Sequence, residues 1–143
     1  MKKNKISSPP IPLDEAKQQA ANWRSYCKKI LDGRKGKNGE DLPVIKAFFI
    51  PLDDLEMVTE LAKNDSGREV AGLRIYFRLK NADSDLSELQ AMIVPVVHLA
   101  AMEYLKDWTH IQNGPKELAD SSLVYDFTKP CPTECDSESL LCQ

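Results

Sequence analysis

The chain of 143 residues has little of what usually identifies an enzyme. It contains two histidines, His98 and His110, and neither belongs to an H-E-x-x-H motif or a similar ligand pair. A G-x-S-x-G motif is absent, and Cys27 lies at an apolar position where a thiol packs as a small hydrophobe. No set of residues combines a nucleophile, a base and an orienting group. We therefore expect a non-enzymatic protein, and the sequence leaves open only an enzyme of unrecognised type.

Long apolar runs are also missing. No run reaches the roughly 18 residues that a membrane span needs. The basic start, MKKNK, is not followed by the apolar segment of a secretory signal. We therefore expect no membrane partner and a cytoplasmic location, where thiols are usually kept reduced.

Charge is unevenly distributed along the chain. Residues 1–37 carry ten Lys and Arg against three Asp and Glu, whereas residues 38–143 carry nine against nineteen. A basic segment can contact nucleic acid, but here no aromatic residues alternate with the cations and the whole chain has a net charge of −3. We therefore expect a protein partner or self-association rather than nucleic acid.

Apolar spacing predicts the helices. Over 13–31 the apolar residues follow at intervals of three and four, which predicts an amphipathic helix. A second helix is predicted over 52–63, with Asp53 and Glu56 placed as a capping pair. A weaker helical spacing over 97–111 favours a third helix.

Strand signals lie between and after these helices. The short β-branched and aromatic run at 44–50 predicts a buried strand. Strict alternation predicts a strand over 72–80, and the apolar run at 88–97 predicts its hairpin partner, with Pro95 at a sheet edge or a bulge. The segment 122–128 is compatible with a short edge strand.

Together these elements predict an α+β fold. It consists of a small, mainly antiparallel sheet of three to four strands packed against two to three helices, with a non-regular C-terminal tail. The predicted organisation is a flexible lead at 1–10, a single domain at 11–128 and a cysteine-rich tail at 129–143.

The strand predicted over 72–80 has two unlike faces. Its apolar face, expected to enter the core and called the apolar row below, consists of Leu73, Ile75, Phe77 and Leu79. Its other face, called the basic row, consists of Arg74, Tyr76, Arg78 and Lys80. Arginines make bidentate contacts with carboxylates. The basic row is therefore either a surface for an acidic partner, or a face that is solvated or paired with the protein's own carboxylates.

Three of the four cysteines, Cys131, Cys135 and Cys142, lie in the last thirteen residues. The first two have the spacing of half a zinc site. The second ligand pair is incomplete, so a fourth ligand would come from His98, His110, a carboxylate or solvent. The alternatives are a surface-draped tail, a zinc site with these cysteines as ligands, or a disulfide, which a reducing cytoplasm disfavours. Zinc is the one cofactor that the sequence suggests.

Several short motifs resemble a family of small uncharacterised bacterial proteins. They are I-x-L-x-x-A at 11–16, LRIYF at 73–77, AMIVPV at 91–96 and C-P-x-x-C at 131–135. Arg78 stands where that family often has glycine. The resemblance implies one compact domain and transfers no catalytic residue, because the family has no established activity.

The sequence therefore predicts a non-enzymatic protein-interaction module that uses the basic row. The alternative is a small zinc-binding or thiol-dependent protein that uses the C-terminal cysteines.

Overall fold

The computed structural model describes residues 9–99, 104–118, 121–126, 128–131 and 136–141. Within these residues the helices are α1 (Leu13–Leu31) and α2 (Leu52–Ser66). The strands are β1 (Ala47–Phe49), β2 (Val70–Arg78), β3 (Gln90–Leu99), β4 (Tyr104–Asp107) and β5 (Lys129–Cys131). Two short 3₁₀ turns lie at Leu86–Glu88 and Lys116–Leu118. The predicted α+β class is confirmed.

The strands of the described part form two antiparallel sheets rather than one. The larger has the order β2-β3-β4, which confirms the predicted hairpin of β2 and β3. The smaller pairs β1 with β5, with Ala47 opposite Cys131 and Phe49 opposite Lys129. β5 belongs to the segment expected to be non-regular, so regular structure extends through Cys131. β1 is shorter than the strand predicted over 44–50, because its pairing with β5 covers Ala47–Phe49.

β3 is the central strand and is buried on both faces. Ile93, Val94 and Val97 are at most 2% exposed. β2 covers one edge of β3 along most of its length, whereas the other edge is shared by β4 and by residues near Tyr125. This burial on both faces explains why the run is apolar without alternation.

Pro95 lies inside this central strand, so the sheet edge predicted as one of its two possible positions is wrong. The other predicted position was a bulge, and a register shift does occur close by, between Val70 and Gly72 of β2. Ile93 exchanges two hydrogen bonds with Tyr125, of 2.8 and 3.0 Å, and the pairing with β4 begins after Pro95. Pro95 therefore lies in the gap between two partners, where only its carbonyl is used, by the backbone N–H of Trp108. A short edge strand is predicted at 122–128. In the structure, the described residues of this segment form isolated β-bridges instead of a continuous strand.

β4 replaces part of the third helix predicted over 97–111, which is a correction to the sequence analysis. Asp107 pairs with Val96, and residues 100–103 lie outside the described part. The tertiary reason is the edge of β3, whose backbone N–H and C=O groups need partners. Trp108 follows the strand directly and enters the core, where it is 6% exposed.

α2 packs on one face of the larger sheet. The buried cluster at this contact consists of Ala62, Val97, Trp108, Ile111 and Leu123. The Val, Ile and Leu side chains of this cluster each contribute about 1.5–3 kcal/mol when fully buried. α2 ends at Gly67, whose φ of 64° is the left-handed conformation of a helix terminus. The predicted capping pair of Asp53 and Glu56 is wrong, because the residue before the helix is Pro51 and no side chain caps it.

α1 has the predicted bounds but is only partly packed. Cys27 and Leu31 near its end are buried, whereas Leu13 is 56% exposed. Trp23 is fixed by a 2.7 Å hydrogen bond from its Nε1 to the carbonyl of Ile45. Among the described residues, neither helix combines the length and the apolar character needed to cross a membrane.

Asp65 connects the end of α2 to the segment after β4. Its carboxylate accepts hydrogen bonds from Trp108 Nε1 at 2.7 Å and from the backbone N–H groups of Gln112 and Asn113 at 2.8 and 2.7 Å. Burial alone would raise the pKa of Asp65, but these bonds and the nearby His110 outweigh it and hold the pKa below its usual range. The folded structure therefore favours the ionised form of this carboxylate.

We predict that Asp65→Ala lowers the free energy of unfolding by about 3 kcal/mol, because buried donors lose a charged acceptor. A folded-state pKa below the unfolded value stabilises the protein above about pH 4, and this contribution disappears as the pH falls through the folded pKa. Urea unfolding of the wild type between pH 7 and pH 3 should show this loss, and Asp65→Asn should lack it. Asp53→Asn, at an exposed carboxylate, is the matched control. If it removed as much of the pH dependence as Asp65→Asn does, the loss of stability would not belong to Asp65.

Candidate binding surfaces

The apolar row does not enter the core as the sequence predicts. Ile75 is 48% exposed, Phe77 70% and Leu79 46%. The physical reason is the position of α2, which packs where Val70 meets Val97 and does not cover the other end of β2. Ile75, Phe77 and Leu79 therefore form an exposed apolar patch at one end of the sheet.

β2 is also an edge strand of its sheet. Ile93 directs its N–H and C=O to Tyr125, away from β2, so the antiparallel alternation directs the N–H and C=O of the opposite residue, Ile75, away from β3. The same alternation applies to Leu73 and Phe77. In the described part of the chain no strand lies on that side of β2.

The two arginines of the basic row face the protein's own carboxylates. Arg74 and the Tyr76 hydroxyl both donate to Asp107, and Arg78 donates to Asp126. The Asp107 side chain is 20% exposed and that of Arg78 is 24% exposed, so both pairs are partly buried. This arrangement corresponds to the self-paired alternative of the sequence analysis. Contact with an acidic partner stays a prediction.

Two buried polar atoms at the end of the basic row lack hydrogen-bond partners among the described residues. These atoms are Arg78 Nε and Gln90 Oε1. They lie opposite each other in the β2–β3 register, and one is a donor while the other is an acceptor. Lys80 is exposed just beyond the end of β2.

We predict that Arg78→Glu lowers the free energy of unfolding by about 1–2 kcal/mol, since it removes an ion pair and places two carboxylates together. Arg78→Gln should cost less. The reversed pair, Arg78→Glu with Asp126→Arg, should recover at least half of the loss in thermal unfolding. No recovery in the double variant would show that Arg78 acts through packing rather than through its charge.

The cysteines have different environments. Cys27 is a free, buried thiol, and burial raises its pKa, which disfavours the reactive thiolate. Cys131 is 1% exposed and disulfide-bonded, and its carbonyl accepts the N–H of Lys46 at 3.0 Å. Cys135 and Cys142 lie outside the described residues. A disulfide-bonded Cys131 has no thiolate for zinc, so the predicted zinc site applies only to the reduced protein.

We predict that alkylation of the unfolded, unreduced protein labels Cys27 and leaves Cys131 unlabelled. After reduction, both residues should react in peptide mapping by mass spectrometry. We also expect the reduced protein to hold less than one equivalent of zinc. Labelling of Cys131 before reduction, together with stoichiometric zinc that is lost in Cys131→Ser, would favour the metal site instead.

The histidines and carboxylates do not add a metal centre in the part of the chain that is described. There, no three His, Cys, Asp or Glu side chains come close enough together to hold a metal ion. His98 is exposed on β3, and the backbone of His110 forms an isolated β-bridge with that of Ser122.

A cavity that the sequence does not predict lies between α1, β1 and the end of β2. Its volume is about 530 Å³, within the roughly 300–1,000 Å³ of small-molecule sites. Its wall is formed almost entirely by apolar atoms of Trp23, Ile45, Phe48, Phe77, Leu86 and Leu89. We call it the apolar cavity. No sequence signal identifies it, because its residues come from four separate segments.

A second depression, of about 690 Å³, lies beside the end of α1 and is called the basic cleft. Its cations are Arg24, Lys28, Arg34, Lys35 and Lys46. Its carboxylates are Asp32 and Asp41. Lys35 binds Asp41, and this contact raises the pKa of Lys35 and lowers the pKa of Asp41. The excess of Lys and Arg in residues 1–37 is the sequence signal for this cleft.

Comparisons with protein-family models, curated proteins and solved structures give no match to this chain. The resemblance to small bacterial proteins noted above therefore stays a prediction.

Proposed function

We propose that this chain is a non-enzymatic protein-interaction module and that β2 is its docking element. The observation that supports this most is the backbone edge at Leu73, Ile75 and Phe77, which has no described partner and carries exposed apolar side chains at the last two positions. Such an edge is a template for another strand. A new strand would form backbone hydrogen bonds with β2. It would also bury the exposed apolar side chains, which would stabilise the pairing further.

Charged residues often protect a strand edge from pairing, and β2 carries two arginines. However, Arg74 and Arg78 point to the face of the sheet opposite the apolar row and are paired with Asp107 and Asp126. Their charges are therefore compensated within the same molecule. The exposed charges next to the described ends of β2 are Lys80 beyond its last residue and Arg68 and Glu69 before its first.

The proposed partner is a second copy of this chain, joined by a two-fold axis at Ile75. An antiparallel pairing of the two β2 edges then places Ile75 opposite Ile75. It also places Leu73 of each copy opposite Phe77 of the other copy. All three positions direct their N–H and C=O outward, so they form hydrogen-bonded pairs. Apolar cross-strand pairs contribute roughly 0.2–1 kcal/mol each.

The charged side chains of β2 favour this register over one shifted by a single residue. With the axis at Ile75, Arg74 lies opposite the second copy's Tyr76, which is a favourable cation–aromatic pair. With the axis shifted by one residue to Tyr76, Arg74 would lie opposite Arg78, and two like charges would meet. The pairing is isologous, because the same surface is used on both copies.

We predict concentration-dependent dimers in sedimentation velocity. Ile75→Glu and Ile75→Lys should each be monomeric, because like charges meet on the two-fold axis. An equimolar mixture of the two variants should dimerise again, since Glu then faces Lys. Ile75 is half exposed, so both variants should keep the wild-type circular dichroism spectrum.

The matched control is Met57→Lys, which adds a charge at another exposed apolar residue and should leave dimerisation unchanged. A wild type that is monomeric at every concentration would overturn the proposal of a second copy. A mixture that stays monomeric would contradict the two-fold register. Monomeric protein that binds a strand peptide at β2 would point to a different protein partner.

The alternative, a zinc-binding or thiol-dependent protein, has one supporting observation. This is the disulfide at Cys131, which favours thiol chemistry over zinc. A disulfide persists in an oxidising compartment, so the expected cytoplasmic location depends on the oxidation state of Cys131 in the cell. The labelling experiment above tests this alternative separately from dimerisation.

A further inference from the structure

The apolar cavity has aromatic side chains from three separate elements in its wall. Trp23 comes from α1, Phe48 from β1 and Phe77 from the end of β2. Trp23 is 37% exposed and Phe77 70%, so aromatic surface at the wall is in contact with solvent. Removing such surface from water is favourable in proportion to its area, and a further ring adds ring–ring contacts. The wall therefore favours an apolar occupant that carries a ring.

The polar groups of the wall are already used within the protein. The Trp23 Nε1–H donates to the carbonyl of Ile45 at 2.7 Å. Lys46 lines the cavity, but its backbone N–H donates to the carbonyl of Cys131 at 3.0 Å and it has a further interaction partner in the chain. A charged or strongly polar ligand would lose its hydrogen bonds to water here without gaining replacements. The wall therefore favours an uncharged occupant.

The volume of the cavity suits a molecule of more than one ring. An apolar cavity of about 150 Å³ already holds benzene, and this one measures about 530 Å³. That volume corresponds to roughly 18 water molecules at about 30 Å³ each in the liquid. Water would find few polar partners on this wall, and displacing poorly bonded water with an apolar group gains affinity.

The turn that carries Leu86 and Leu89 is fixed in place without a ligand. The Asp85 carboxylate accepts the N–H of Ser87 at 3.0 Å, and the Asp85 N–H donates to Glu88 at 3.2 Å. The turn also packs against α1. The wall is therefore preorganised, so that binding would require little ordering of this turn.

We infer that the apolar cavity binds an uncharged aromatic molecule of about two fused rings, packed against Trp23, Phe48 and Leu89. This small-molecule site goes beyond the proposed pairing of β2 and does not depend on it. Phe77 belongs to both surfaces, so it is not changed in either test.

The test compares two probes that share one ring system, naphthalene and 2-naphthoate, in titrations followed by NMR. Naphthalene should bind, with intermolecular NOEs to the methyl groups of Ile45, Leu86 and Leu89, because these residues line the cavity. 2-Naphthoate should bind about tenfold more weakly or worse, since its carboxylate would lose water without finding a free donor in the wall.

Variants of the wall locate the site. Phe48→Leu keeps an apolar side chain but removes a ring, so it should weaken naphthalene binding about two- to tenfold. Leu86→Asp places a carboxylate in the wall and should abolish binding while the circular dichroism spectrum is retained. Leu118→Asp is the matched control, because Leu118 is an exposed leucine of the other 3₁₀ turn, outside the lining, and it should change nothing. Lys46→Gln should change the affinity for naphthalene by less than about twofold, since this probe carries no charge.

No binding of naphthalene to the wild type would overturn the inference. Equal or tighter binding of 2-naphthoate would also overturn it, because the site would then accept a charge, and unchanged affinity in Phe48→Leu would contradict the aromatic class. NOEs to Ile75 in place of Leu86 and Leu89 would assign the probe to the exposed patch of β2 instead. Ile75→Glu changes no lining residue and should bind naphthalene as the wild type does, so a failure of dimerisation and a failure of this site are distinguished.

Discussion

The carboxylate of Asp65 determines where the second half of the chain lies. By accepting one indole N–H and two backbone N–H groups, it holds the segment after β4 against the end of α2. The indole of Trp108 is thereby placed between α2 and the sheet, next to Val97. An ionised buried carboxylate is costly unless such donors surround it. The packing of the core and the charge state of this one group are consequently coupled.

This anchoring has a consequence for the surface. Because α2 is held at the Val70 end of the hairpin, it does not cover the opposite end of β2. Ile75 and Phe77 are then exposed on an edge strand, although their alternation is typical of a core-facing strand. The surface that we propose for self-association therefore arises from the position of the core.

The same uncovered end also borders the apolar cavity. Phe77 lies at the end of β2 and contributes to the cavity wall together with Trp23 of α1 and Phe48 of β1. The exposed edge of β2 and the wall of the cavity therefore meet at one side chain.

The sequence by itself determined the local structure. Helical spacing located α1 and α2, and alternation located the β2–β3 hairpin, because hydrophobic periodicity and turn residues act within a few residues of each other. Only the tertiary structure decided what each face meets. The Asp65 contacts, the pairing of β5 with β1 and the self-pairing of Arg74 and Arg78 join residues that are distant in the chain. The cavity likewise depends on four segments that meet in space. Such contacts follow from packing and from the need to satisfy buried polar groups, and neither leaves a local pattern in the sequence.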